Sequence, residues 1–333
     1  MTGYIIKRSL GAVPVLLALS VFVFLLMHLA PGDPVQLLLP ESATDEDIAA
    51  ARAAWGLDRP LVMQYFDYLQ GAVRGDLGRS MVFGEPVLGL ILERLPATAE
   101  LAFLGILLGI IAAIPLGVCS ASRHDTVLDH LGTTAALLGI SMPHFWLGIM
   151  MILVFGGVLR VLPVSGRVDF GVPVTPVTGF YLLDGIIAGN LPAFWSALRH
   201  AILPAVTLGT SVVGLLTRIT RSSVLEVIGE DYVLVARSKG LSGRVVVWKH
   251  ALRNALIPII TVLGLQVGAV LSGSIIVETV FAWPGMGSFL VQAVSMRDYR
   301  LVQGIVFFYA TAYVVIHLVV DMLYAVVDPR VHR

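Results

Sequence analysis

Charge and cysteine are what this sequence has least of. Only 13% of its 333 residues are charged, against 57% hydrophobic, and the mean hydropathy is +0.89. A water-facing domain carries about 25% charged residues. Half that fraction cannot coat a soluble surface, so the apolar excess must face lipid. Lys+Arg and Asp+Glu balance at 22 each, which removes the global basic field expected of a nucleic-acid-binding protein. The single Cys119 excludes an intramolecular disulfide and a cysteine-based metal cage. At the end of an apolar run it reads as a packing residue rather than a reactive one. Three catalytic signatures are also missing: the Gly-x-x-x-x-Gly-Lys-Ser/Thr phosphate loop, His-Glu-x-x-His and Gly-x-Ser-x-Gly. No nucleotide-hydrolysing or intramembrane hydrolytic site is legible.

What the sequence has in abundance is long apolar runs. Six qualify as membrane spans, at about residues 10–30, 98–120, 131–159, 201–220, 255–281 and 301–327. Crossing the hydrocarbon core takes about 20 mostly apolar residues in a helix. The runs are too long and too uniform for barrel strands, so the expected fold class is an all-α membrane protein of six transmembrane helices. The first run follows Lys7 and Arg8 as a signal peptide would, but it exceeds the usual length of such a segment. His28-Leu29-Ala30 also puts His where a cleavage site needs a small residue. It reads as a retained helix.

Basic residues in short loops set the orientation. Lys7 and Arg8, then Arg123, then Arg218, Arg221, Arg237, Lys239, Arg244, Lys249 and Arg253, then Arg330 and Arg333 all fall on one side of a six-span chain. That side, with both termini, is expected to be cytoplasmic. Residues 1–30 then form a tail and first span, and 31–97 an external loop. Residues 98–333 form a five-helix core containing a cytoplasmic loop at about 222–254. The external loop holds Asp45-Glu46-Asp47, a helix-start signal, and apolar residues at helical spacing from Met63 to Val73. Residues 160–200, rich in Pro and Gly, read as irregular but packed.

The loop at 222–254 is unlike the rest. Glu230 and Asp231 suit a helix N-terminus, and Tyr232, Val235, Ala236 and Lys239 follow at helical spacing. Gly240 suits a helix stop because it adopts positive φ without steric cost. A second amphipathic stretch begins near Ser242. A short helix of this kind fits a groove on a soluble partner or rests on anionic lipid, and the residues alone leave both open.

This stretch resembles the cytoplasmic loop of permease subunits of binding-protein-dependent ABC importers. The chain as a whole resembles the B-type permease of the dipeptide/oligopeptide (peptide/nickel) family. The resemblance is carried jointly by Leu29-Ala30-Pro31-Gly32-Asp33-Pro34, Gly56-Leu57-Asp58-Arg59-Pro60, Gly75-Asp76-Leu77-Gly78 and Leu95-Pro96-Ala97-Thr98. It continues through Glu230-Asp231-Tyr232, Ala236-Arg237-Ser238-Lys239-Gly240 and His250-Ala251-Leu252-Arg253-Asn254-Ala255. Glu278-Thr279-Val280-Phe281-Ala282-Trp283-Pro284-Gly285-Met286-Gly287 and Asp328-Pro329-Arg330 complete it. The resemblance implies a type I ABC importer permease fold in the bacterial inner membrane, a second homologous permease, two ATPase subunits and an extracytoplasmic substrate-binding protein. It places ATP and Mg on the ATPase subunits and no cofactor on this chain. It implies a dipeptide or short-peptide substrate, with glutathione or a nickel complex as the alternative.

On this reading Glu230, Asp231, Tyr232, Ala236, Arg237, Lys239 and Gly240 couple the chain to its ATPase. The sequence departs from the family motif in its acidic position, since Leu234-Val235-Ala236 stands where the family has Glu-Ala-Ala. Gln266, Ser272, Ser274 and Glu278 are candidates for the pathway or its gate, against the alternatives of helix–helix contacts and an interfacial charge. His317 and Asp321, four apart in the last span, form a hydrogen-bonded pair or, in an ion-coupled carrier, a proton relay with Glu278.

Overall fold

The computed structural model describes residues 2–29, 35 and 42–327. The motif residues 30–34 and 328–330, the side chains of Lys7, Arg8, Arg330 and Arg333, and the side chain of Asp321 lie outside that description. Secondary structure among the described residues is helical apart from one isolated bridge, Arg79 to Pro86. The chain divides into two units, Met1–Pro96 with Gly285–Leu318, and Ala97–Pro284 with Val319–Arg333.

The first unit holds α1 (Thr2–Leu29), α2 (Asp45–Ala54) and α3 (Leu61–Val73), then the start of α4 (Val87–Ser122). The helices expected within residues 31–97 fall where the sequence predicts them. Thr44 caps α2 by accepting from the amide of Asp47 at 3.3 Å, and Asp47 returns a bond from the amide of Thr44 at 2.9 Å. This reciprocal box satisfies two otherwise unpaired donors. The unit closes with α11 (Met286–Ser295) and the first part of α12 (Tyr299–Val327). Its core is Val87, Ile91, Met286, Phe289, Leu301 and Ile305. Asp298, fully buried, accepts from the Ser80 hydroxyl and from the amides of Met81, Val82 and Leu301, tying the turn after Arg79 to the start of α12.

The second unit contains the rest of α4, then α5 (Val127–Ser141), α6 (His144–Val158), α7 (Tyr181–Ile187) and α8 (Leu191–Ile228). The short α9 (Asp231–Ser238) and the long α10 (Gly243–Val280) follow. α8 is the centre of the bundle. It meets α4 along a stripe of small residues, Gly105, Gly109, Ala113 and Gly117, one per turn. A methyl group on Gly109 would stand 2.7 Å from the Val212 Cβ, and one on Gly117 would stand 2.8 Å from the Thr217 carbonyl oxygen. Lipid supplies no hydrophobic drive between helices, so close backbone approach through small residues is what holds such a pair. α8 meets α5 the same way, through Gly139 against Thr210 and Gly214 against Ala136.

Among the described residues, four helices are long and apolar enough to cross a membrane: α4, α8, α10 and residues 299–320 of α12. The expected spans 98–120 and 201–220 lie inside α4 and α8, 255–281 lies in α10 but for its last residue, and 301–327 lies in α12. α8 and α10 have 38 residues each, or about 57 Å at 1.5 Å per residue, and so project well beyond a 30 Å core. The expected first span lies in α1, whose apolar stretch is Leu10–Leu25. The expected third span, 131–159, departs from one continuous helix. It breaks into α5 and α6, bent by 105°. The cause is Pro143, which has no amide to donate and forces the residue before it out of helical geometry. Met142 sits at φ −80°, ψ 124°. Cys119, expected to be packed, is exposed on the surface of α4.

Gly117→Ala is expected to lower the unfolding temperature of the purified protein, because the helices must separate around a backbone oxygen. Gly89→Ala in the same helix, with nothing within 4 Å of its added methyl, is expected to be neutral or to stabilise by up to about 1 kcal/mol through helix propensity.

Candidate functional site

The loop singled out in the sequence folds as a short helix held between the ends of two long ones. α8 stops at Gly229, and Glu230 takes an extended conformation (φ −74°, ψ 147°) that turns the chain into α9. Asp231 sits in the first turn of α9. No side chain caps that end, so the acidic pair acts there through its charge on the helix dipole. Only Val233 and Ala236 of α9 point inward, packing on Val246 and Val227. The amide of Lys239 closes on the carbonyl of Val235 at 3.1 Å and that of Gly240 on Arg237 at 2.9 Å. Gly240 has φ +79° and open space around its Cα, so it is required for its conformation and not for room. The Tyr232 hydroxyl accepts from Asn254 Nδ2 at 2.6 Å, joining α9 to α10.

The rest of this region faces outward. Leu234 and Val235 are each 53% exposed, and Leu241, Val245 and Trp248 are also exposed. Arg237, Lys239, Arg244 and Lys249 are exposed among them. An apolar patch with a basic rim is the signature of an interaction surface. Behind it, Arg221 on α8 grips Asp129 on α5 through two bonds of 2.6 and 2.7 Å. The surface is therefore mounted on a braced pair of helices.

Glu230, Asp231, Tyr232, Ala236, Arg237, Lys239 and Gly240 thus come together on one helix and its two ends. Ala236 differs from the others in facing the interior, where it positions the helix. The second predicted set does not assemble. Ser272 is exposed, Gln266 half-buried, and Ser274 and Glu278 buried. Ser272 and Ser274 point about 200° apart at 100° per residue. Ser274 donates to the Leu271 carbonyl at 2.8 Å. Glu278 is fully buried. His317 packs against Tyr313 with ring centroids 4.3 Å apart and the planes tilted by 50°.

One further constellation carries no signal along the chain. Arg167, in the Pro/Gly-rich segment, is buried and donates to Glu100 of α4 at 2.5 Å and to the Gly179 carbonyl at 2.9 Å. Its guanidinium lies 3.8 Å from the centre of the Tyr181 ring. Glu100 also accepts from the amide of Leu182 at 2.9 Å, and Trp283 donates to the Ala97 carbonyl at 2.9 Å. Residues 160–200 are consequently less irregular than expected. They contain α7, and α8 starts at Leu191. Asp184 of α7 is buried, which opposes its ionisation. Bonds from Thr178 and the amides of Val177 and Gly179 outweigh that and leave its carboxyl below its ordinary range. In the first unit, a cavity of about 550 Å³ opens among α1, α2, α3 and the start of α12, lined by His28, Arg52, Trp55, Gln64, Tyr68 and Arg300.

Residues 105–333 match the family described as binding-protein-dependent transport system inner membrane component, and residues 1–102 match its N-terminal region. The chain belongs to this family. As a binding-protein-dependent transport component it is a multi-pass inner-membrane protein. It is 46% identical over 328 residues, 98% of this chain and 96% of the relative, to a probable D,D-dipeptide transport system permease of Escherichia coli K12. It is 40% identical over 99% of both chains to a glutathione transport system permease of Escherichia coli O6:H1. Among solved structures, an inward-facing MetNI methionine ABC transporter matches with a TM-score of 0.52 at 16% identity, over 72% of this chain and 97% of that one. That match shows the fold.

Arg167→Met is expected to destabilise this transport component by about 3–5 kcal/mol, since it strands a buried carboxylate. The double variant Arg167→Met/Glu100→Met is expected to recover much of that loss. Thermal unfolding of the purified variants reads both.

Proposed function

We propose that the chain is the permease subunit of an ATP-driven ABC importer, forming half of a pathway for dipeptides or short peptides. A second homologous permease forms the other half. Two ATPase subunits dock on the α9 surface and its counterpart, carrying the ATP and Mg sites, and a substrate-binding protein delivers peptide from outside. Both termini then lie in the cytoplasm with α9, in keeping with the basic residues there. The chain itself is not an enzyme.

The observation that carries this reading is α9. Leu234 and Val235 stand in the open on a helix anchored by Val233 and Ala236, an arrangement that leaves apolar area for a partner. A rigid helix end braced by Arg221 and Asp129 transmits a push without bending, as alternating access by rigid-body rocking requires. Dipeptide import is favoured by the family motifs and by the D,D-dipeptide relative. The glutathione relative makes a glutathione or nickel-complex substrate the alternative.

The test is ATP hydrolysis by the reconstituted complex, with and without a dipeptide-loaded binding protein. Dipeptide is expected to stimulate hydrolysis. Gly240→Leu is expected to keep assembly and remove at least about tenfold of the peptide-dependent rate, through αL strain of 1–2 kcal/mol and a bulky side chain at the docking surface. Stimulation by glutathione or a nickel complex alone would change the substrate and keep the mechanism. Uptake driven by an ion gradient with no copurifying ATPase would overturn the reading in favour of a secondary carrier.

A further inference from the structure

The first unit has a cavity of its own. Its volume is about 550 Å³, inside the range of about 300–1,000 Å³ usual for small-molecule sites. Every described residue that lines it belongs to the first unit. Phe24 of α1, Trp55 after α2, Tyr68 of α3 and Tyr299 of α12 give it aromatic walls. It also holds charges of both signs, among them Arg59 with Asp67 and Arg300 with Asp76.

Several of its polar groups are spent on the protein. His28 Nε2 and Gln64 Oε1 are 3.1 Å apart, Gln64 Nε2 donates to the Arg59 carbonyl at 2.8 Å, and Arg59 closes on Asp67 at 2.9 Å. Arg300 and Asp76 differ. Arg300 is half-buried and spends one of its five donors, on the Trp55 carbonyl. Asp76 spends one oxygen, on the Gly78 amide at 2.9 Å. Each lies within the field of the other, yet no ion pair joins them among the described residues. A guanidinium with unspent donors takes a carboxylate through two parallel bonds, and a carboxylate with a free oxygen takes an ammonium. Held apart in one cavity, the two groups match a ligand that carries both charges.

A second observation concerns the wall. Tyr68 Oη and Gln303 Nε2 are buried beside one another, and neither completes a hydrogen bond. Gln303 stands three residues after Arg300, on the same face of α12. Buried polar atoms without a partner are few in native proteins and lower stability, and a bound ligand supplies what they lack.

We infer that this cavity binds a short zwitterionic peptide, with its C-terminal carboxylate on Arg300 and its ammonium on Asp76; the choice of a peptide among zwitterions rests on the transport reading above. The site selects free termini, and its aromatic walls receive apolar side chains.

Calorimetric titration of the purified complex, without its binding protein, tests this with alanyl-phenylalanine, its N-acetyl form and its C-terminal amide. The free dipeptide is expected to bind. Acetylation and Asp76→Asn are each expected to weaken binding at least about tenfold, as loss of a charged hydrogen bond does. Together they are expected to weaken it no more than either alone, since both remove the same contact. The amide and Arg300→Gln are expected to couple in the same way. Where Arg300→Gln does not assemble, Asp76→Asn, on an exposed side chain, carries the test. Tyr68→Phe removes a hydroxyl that has no protein partner, and is expected to keep the unfolding temperature while weakening binding. A lower unfolding temperature with unchanged binding would remove Tyr68 from the site. Additive losses from acetylation and Asp76→Asn would place the peptide elsewhere and overturn the inference. So would the absence of binding by a complex whose hydrolysis responds to peptide-loaded binding protein. Tighter binding of glycerophosphoethanolamine than of dipeptide would overturn the peptide assignment in favour of a lipid headgroup. Coupled binding in a complex whose hydrolysis ignores peptide would instead overturn the transport reading and leave the site standing.

Discussion

Everything in the second unit depends on how closely α8 can be approached. Gly105, Gly109, Ala113 and Gly117 let α4 lie against it backbone to backbone, and Gly139 and Gly214 do the same for α5. A membrane gives no reward for gathering apolar side chains, so contact area and van der Waals fit must hold the bundle. The cost of that design is intolerance. A methyl group added at Gly109, Gly117 or Gly214 meets a carbonyl oxygen or a β-carbon under 3 Å away. The benefit is a seam packed closely enough to stiffen α8 from Leu208 to Thr220.

That stiffness is what the α9 surface uses. α8 carries the packed seam in its middle and the Arg221–Asp129 clamp near its end, then turns at Gly229 into α9. α9 is too short to be stable alone. It exists because Val233 and Ala236 pack on Val246 and Val227, and because Tyr232 is bonded to Asn254 of α10. A force on its exposed face therefore reaches α8 and α10 together. At the far end, the Arg167–Glu100 pair with Tyr181 and Trp283 organises the segment that connects α6 to α8. A chain with few charges has placed several of them in buried pairs rather than on its surface.

Much of this was legible from sequence because the governing signals are local. Apolar run length marks four spans, Thr44 with Asp47 marks the start of α2, and Gly240 marks the end of α9 by its positive φ. The family motifs then supply order along the whole chain. What stayed hidden depends on pairing across space. Arg167 reads as one more loop charge until Glu100, 67 residues away, is beside it. Gln266, Ser272, Ser274 and Glu278 look alike in a span, yet their directions around α10 separate them. Pro143 is visible in the sequence, but the size of the bend it causes is not. A proline amid an apolar run of about 29 residues is a sufficient cause for the 105° break.

The central claim is that α9 is a docking surface whose apolar residues are exposed only in the isolated chain. The direct measurement is the reactivity of Val235→Cys, on a Cys119→Ala background, toward a hydrophilic maleimide before and after assembly with the ATPase subunits. The account predicts ready modification of the free permease and strong protection in the assembled complex. Equal reactivity in both states would contradict it, because Val235 would then face water or lipid throughout, and α9 would have no partner to couple to.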